Sequence, residues 1–127
     1  MKPLIFPLVY GFLFTFSLML LSTMERSFGA EPSGQKLFAA NCVRCHGLNA
    51  KGSMPAAKSL KVDPVQLDLT RESVVEKSAK YLREKISDGH GKMPPQGPRL
   101  SPSQIQSLVR YIQSLQKAYV LKAQGDK

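Results

Sequence analysis

Two cysteines and a histidine stand together in Cys42-Val43-Arg44-Cys45-His46, and the chain of 127 residues has no other cysteine. A C-x-x-C-H pattern is an attachment site for a c-type haem, each thiol adding to one haem vinyl group to give a thioether. Cysteines spaced this way in a helical turn share a face, so both reach one porphyrin edge. His46 then points its imidazole at the iron as proximal ligand. Other uses of a C-x-x-C pair fit less well. A thioredoxin-like redox pair belongs beside a βαβ pattern, and none is found. Half a zinc site would need a second ligand pair, but only His46 and His90 are available. A structural disulfide in an exported protein is a third use. None of these accounts for a histidine directly after Cys45.

An axial histidine leaves the opposite face of the iron to be filled. Gly89-His90-Gly91-Lys92-Met93-Pro94-Pro95 offers a soft thioether in Met93, and a His/Met pair raises the reduction potential. The two prolines stiffen the loop, and the glycines before it permit close approach. His90 is the competing ligand, and bis-His ligation would lower the potential. Met54 reads better as a packing or surface residue. A ligating histidine usually donates its free ring N–H to an acceptor. The carbonyl of Pro55 is one candidate; a simple turn proline is the other reading of that residue.

These residues need elements to hold them. Ser33 is an N-cap for a helix that carries Gly34, Leu37 and Phe38 on one face, runs into the haem motif and ends near His46-Gly47. Glycines and prolines mark Gly47 to Asp68 as a loop region. Thr70 caps a second helix, with Glu72 in its first turn and a stripe of Val75, Ala79, Leu82 and Ile86, stopped by Gly89. Ser101-Pro102-Ser103-Gln104 is a capping box with proline at N1. It opens a helix with Ile105, Leu108, Val109, Ile112 and Leu115 as its apolar stripe, expected to fray between Lys117 and Lys122. Gln124 to Lys127 reads as a loose polar tail. No strand pattern of useful length and no internal repeat are found.

The N-terminus has a different character. Lys2 precedes an uncharged apolar run from Pro3 to Met24, closed by Glu25 and Arg26. Residues 1–29 resemble a secretory signal peptide, with Ser27 and Gly29 before a cut at Ala30. The run is also long enough to remain as a membrane anchor, for which about 20 apolar residues suffice. Either way, residues 30–127 form one domain on the outer side of a membrane, expected to be periplasmic. That domain keeps 16 basic and 8 acidic side chains, a formal +8. An exported protein has little reason to meet nucleic acid, so the positive charge points to acidic protein surfaces or an anionic membrane face. Solubility alone is the plainer reading of the charge.

The order of helix, C-x-x-C-H, long loop, helix, K-M-P-P loop and capped terminal helix resembles a small monohaem class I cytochrome c over about residues 33–116. The resemblance implies an all-α fold of three to four helices wrapped around one covalently attached haem c. It implies thioethers at Cys42 and Cys45, axial ligands at His46 and Met93, and the Pro55 carbonyl as acceptor for His46. It also implies that Gly34 and Phe38 cross the terminal helix at Leu108 and Tyr111. The chain departs from some members in having no tryptophan. The implied function is one-electron transfer by a monomer between redox proteins with acidic docking surfaces, steered by lysines such as Lys51, Lys58 and Lys92, and not catalysis. Two alternatives stand beside it. One is a ligand-binding or peroxidase-like haem with a labile sixth ligand and His90 as acid–base group. The other is a membrane-tethered cytochrome subunit of a respiratory complex.

Overall fold

A computed structural model describes residues 31–125. The expected signal or anchor at residues 1–29, the cut before Ala30 and the last two residues of the tail lie outside the described residues. Among the described residues, six helices and one 3-10 turn follow one another. They are α1 (Gly34–Asn41), α2 (Val43–His46), α3 (Met54–Leu60), the 3-10 turn Pro64–Leu67, α4 (Glu72–Val75), α5 (Ala79–Asp88) and α6 (Pro102–Gly125). The only bridge of strand type among the described residues is the isolated pair His90–Met93. The fold is all-α, as expected, although six helical segments replace the three or four anticipated.

The core lies where α1 and α5 pack on α6. Leu37 and Phe38 of α1 meet Leu82 and Ile86 of α5 and Ile105, Leu108, Val109 and Ile112 of α6, with Cys42 and Ala50 at the edge. These are the apolar stripes of the three amphipathic helices, and each side chain removed from water contributes about 1.5–3 kcal/mol. Phe38 is 1% exposed, so the lone phenylalanine of this part of the chain is a core residue. Its ring stands 5.5 Å from that of Tyr111. The crossing of α1 over α6 is set by Gly34, where a Cβ would fall 2.1 Å from the backbone oxygen of Ser107 and 2.9 Å from Cβ of Tyr111.

The caps explain where the helices begin. The Ser33 hydroxyl accepts from Lys36 N, and Ser101 and Gln104 complete the reciprocal capping box in front of α6. Three expectations are corrected. The region 47–68 contains α3, because Ser53 caps it and Pro55 sits in its first turn. Thr70 does not cap α4: Asp68 Oδ1 accepts from both the backbone N and the hydroxyl of Thr70. The expected single helix is therefore split, and Ser78 caps α5 instead. Finally, α6 continues to Gly125 where fraying was expected. Buried Gln116 donates to the Leu69 carbonyl at 2.8 Å, and Lys51 lies 4.1 Å over the Tyr119 ring.

Candidate haem site

α1 ends at Cys42, whose backbone N–H still bonds to Phe38 O, and α2 starts directly after it. The Cys42 carbonyl accepts from both Cys45 N and His46 N, so the motif forms one tight turn with both thiols and the imidazole fixed to it. The loop after it folds back to satisfy the end of α2: Gly52 N donates to His46 O and Ser53 N to Cys45 O. Both cysteines are free thiols, Cys42 buried and Cys45 partly so. Burial, with Cys45 adding to it, pushes the Cys42 thiol up to about 11. Among the described residues no cluster of three or more histidine, cysteine or carboxylate side chains could hold a metal ion.

His46 is oriented by one hydrogen bond, from Nδ1 to the carbonyl of Leu67 at 2.8 Å. A carbonyl only accepts, so Nδ1 carries the proton and Nε2 keeps its lone pair. Burial lowers the His46 pKa, and the Leu67 bond opposes this with a smaller effect. The ring is thus neutral at pH 7 with Nε2 ready to ligate. This corrects the assignment of Pro55. That residue lies in the first turn of α3, where carbonyls run along the helix axis toward its own later N–H groups. The true acceptor is brought up by the 3-10 turn, which Asp63 caps through Val65 N at 2.9 Å. The sequence signal was Asp63-Pro64, a capped turn start, but nothing local says that its last carbonyl meets His46.

Gly89 ends α5 at φ +79°, a left-handed value that favours glycine. A Cβ there would stand 2.6 Å from Met93 O, so the loop closes tightly against this position. His90 and Met93 exchange both backbone hydrogen bonds around Gly91-Lys92. Gln96 N and Gly97 N then bond to the last carbonyls of α5, those of Ile86 and Ser87. Met93 is half-buried and packs against the core. His90 is exposed, its Nδ1 accepting from Lys85 Nζ at 3.3 Å. Met54, on α3, is 67% exposed.

A haem fits these donors. Two free thiols share one turn, an imidazole offers an unprotonated Nε2, and a soft thioether stands at the core edge. Arg71 Nε, on the segment just past Leu67, is buried without a hydrogen-bond partner among the described residues, the kind of donor that a haem propionate satisfies.

Residues 29–112 match the family model described as cytochrome c oxidase, cbb3-type, subunit III. The chain belongs to this cytochrome c family. Its cofactor is haem c, covalently bound. Among relatives, it is 36% identical over 90 residues to cytochrome c6 of Gloeothece citriformis, covering 71% of this chain and 74% of that one. It is 34% identical over 87 residues to the cbb3-type cytochrome c oxidase subunit FixP of Azorhizobium caulinodans, of whose length it spans 27%. The solved structure of the KustC0563 c-type cytochrome aligns with a TM-score of 0.56 at 21% identity, covering 66% of this chain and 98% of that one, and supports the fold. Within this cytochrome family, Leu67 is the site residue that sequence reasoning missed.

Proposed function

We propose that the protein is a one-electron carrier with His46 and Met93 as the axial ligands of a haem iron held by Cys42 and Cys45. When bound, the haem supplies a one-electron Fe(III)/Fe(II) couple. The observation that carries the proposal is the contrast among the three possible sixth ligands. Met93 packs against the core, whereas His90 is exposed and turned to Lys85, and Met54 is 67% exposed. His46 stays neutral because burial lowers its pKa, and it is aimed because the Leu67 carbonyl accepts from its Nδ1–H. Two protein ligands close the iron to substrate, and the apolar core and thioether favour the reduced state. His90, engaged with Lys85 on the outside of α5, is poorly placed as an acid–base group, which speaks for a carrier over a peroxidase-like haem.

The partners are other redox proteins, met on the outer side of a membrane by a monomer. Lys92 stands exposed at the tip of the turn that carries Met93, and Lys58 is exposed on α3. Neither joins an ion pair among the described residues, where Lys80–Glu84 is the one pair found. Their charge therefore remains available to an acidic surface and raises the on-rate more than the affinity. A second reading, a membrane-tethered subunit of a respiratory oxidase, is supported by the likeness to FixP. It shares the chemistry and differs in whether residues 1–29 are retained. Among the described residues no helix is long and apolar enough to cross a membrane.

A potentiometric titration of the haem-loaded protein tests the proposal. A single one-electron wave, lowered by Met93→His and left in place by His90→Ala, is expected. A wave that responds to His90→Ala and ignores Met93→His would refute the ligand assignment.

A further inference from the structure

One set of side-chain contacts remains outside this description. Arg99 Nη2 donates to Asn41 Oδ1 and to Gln96 Oε1, both at 3.1 Å. A guanidinium has no acceptor, so these contacts fix both amides with their oxygens toward Arg99. The amide nitrogens are then directed outward along the relay. Asn41 Nδ2 donates to Leu37 O at 2.8 Å within α1, and Gln96 Nε2 donates to Pro94 O at 3.2 Å. Gln96 is buried, at 5% exposure, and its backbone N–H is tied to Ile86 O. Arg99 N in turn bonds to Gln96 O.

The relay therefore begins at the residue before Cys42 and ends at the residue after Met93. It joins the wall that holds the thioethers to the loop that holds the sixth ligand, across 58 positions of chain. Pro94 and Pro95 have no backbone N–H to anchor their loop. Between Met93 and Gln96, the Gln96 amide on the Pro94 carbonyl is the side-chain tie that the loop has.

We propose that Arg99 is a positioning residue that keeps the Met93 loop closed, acting through Asn41 and Gln96. This rests on Met93 being the iron ligand. A relay with both Nη2 protons used and both amides oriented holds one loop geometry. Without it, the backbone bonds to α5 and between His90 and Met93 remain, but the tie to α1 is lost, and Met93 leaves the iron more often.

The test uses the haem-loaded protein and its Arg99→Ala, Arg99→Lys and Asn41→Ala variants, at temperatures where helix content by circular dichroism equals that of the parent. In Arg99→Ala the reduced form is expected to bind CO roughly tenfold faster than the parent, the scale of two lost net hydrogen bonds. The near-infrared band of Met-to-iron charge transfer in the ferric form should fade at a lower temperature. Asn41→Ala, cutting the relay at its other end, should move both readouts the same way. Arg99→Lys, which still donates, should restore part of each. CO rates and bands equal to the parent's in Arg99→Ala and Asn41→Ala would overturn the relay and leave Met93 ligation standing. A parent that lacks the band would overturn the ligation and the relay with it.

Discussion

The Nδ1–H of His46 is held by the carbonyl of Leu67, 21 residues further along the chain, at 2.8 Å. The bond ties the haem-binding turn to the 3-10 turn Pro64–Leu67. Because Asp63 caps that turn, Asp63→Ala should loosen it at a cost of about 1 kcal/mol. A weaker hold on Nδ1–H makes the imidazole a poorer donor to iron, so the potential should move upward. Voltammetry of the haem-loaded variant checks this, and a potential equal to the parent's would mean that the 3-10 turn does not tune His46.

Gly34 gives a prediction whose sign is the test. Alanine normally improves a helix over glycine by about 1 kcal/mol. Here the added Cβ would meet Ser107 O at 2.1 Å, with backbone on both sides of the contact. Overpacking of this kind costs about 1–3 kcal/mol, and a contact so short belongs at the upper end. Gly34→Ala should therefore lower the thermal midpoint of the haem-loaded protein by several degrees. A rise in the midpoint would mean that α1 and α6 do not approach so closely.

Gln116 should matter although it lies far from the motif. Its Nε2 satisfies the Leu69 carbonyl, and the side chain is 4% exposed. Gln116→Leu keeps the bulk and orphans that carbonyl, at about 1–3 kcal/mol. Chemical denaturation should show the loss in the midpoint with little change in slope, since the surface exposed on unfolding is nearly the same.

The haem should be needed for folding. The core is small, as a domain of this length makes it, and the haem is the largest apolar group available to fill it. The double variant Cys42→Ala, Cys45→Ala, prepared without haem, should show little cooperative melting. A sharp thermal transition in that variant would show that the helices hold without the cofactor.

Much of this molecule is legible in sequence, where the determinants are local. Ser33 and the Ser101–Gln104 box mark helix starts, the apolar stripes of α5 and α6 name the core, and Cys42-x-x-Cys45-His46 names the cofactor. The failures share a cause. Thr70 has the chemistry of a cap, but Asp68 two residues earlier takes its hydroxyl and N–H. The stretch from Lys117 to Lys122 reads as a fraying end because the contacts beside it, Gln116 with Leu69 and Tyr119 with Lys51, join residues remote in sequence. The α3 helix was hidden by the glycines and prolines around it, although Ser53 and Pro55 carry its start signal. Leu67 as acceptor and the Arg99 relay depend on contacts across 21 and 58 positions, which no local pattern encodes.

The central claim, a closed His46/Met93 pair, is tested most directly by the optical spectrum of the purified haem-loaded protein in its ferric and reduced states, with and without CO. A c-type spectrum with the weak near-infrared Met-to-iron band, unchanged by CO within the time of mixing, is the expected result. A c-type spectrum without that band, or one that shifts as soon as CO is added, would contradict it.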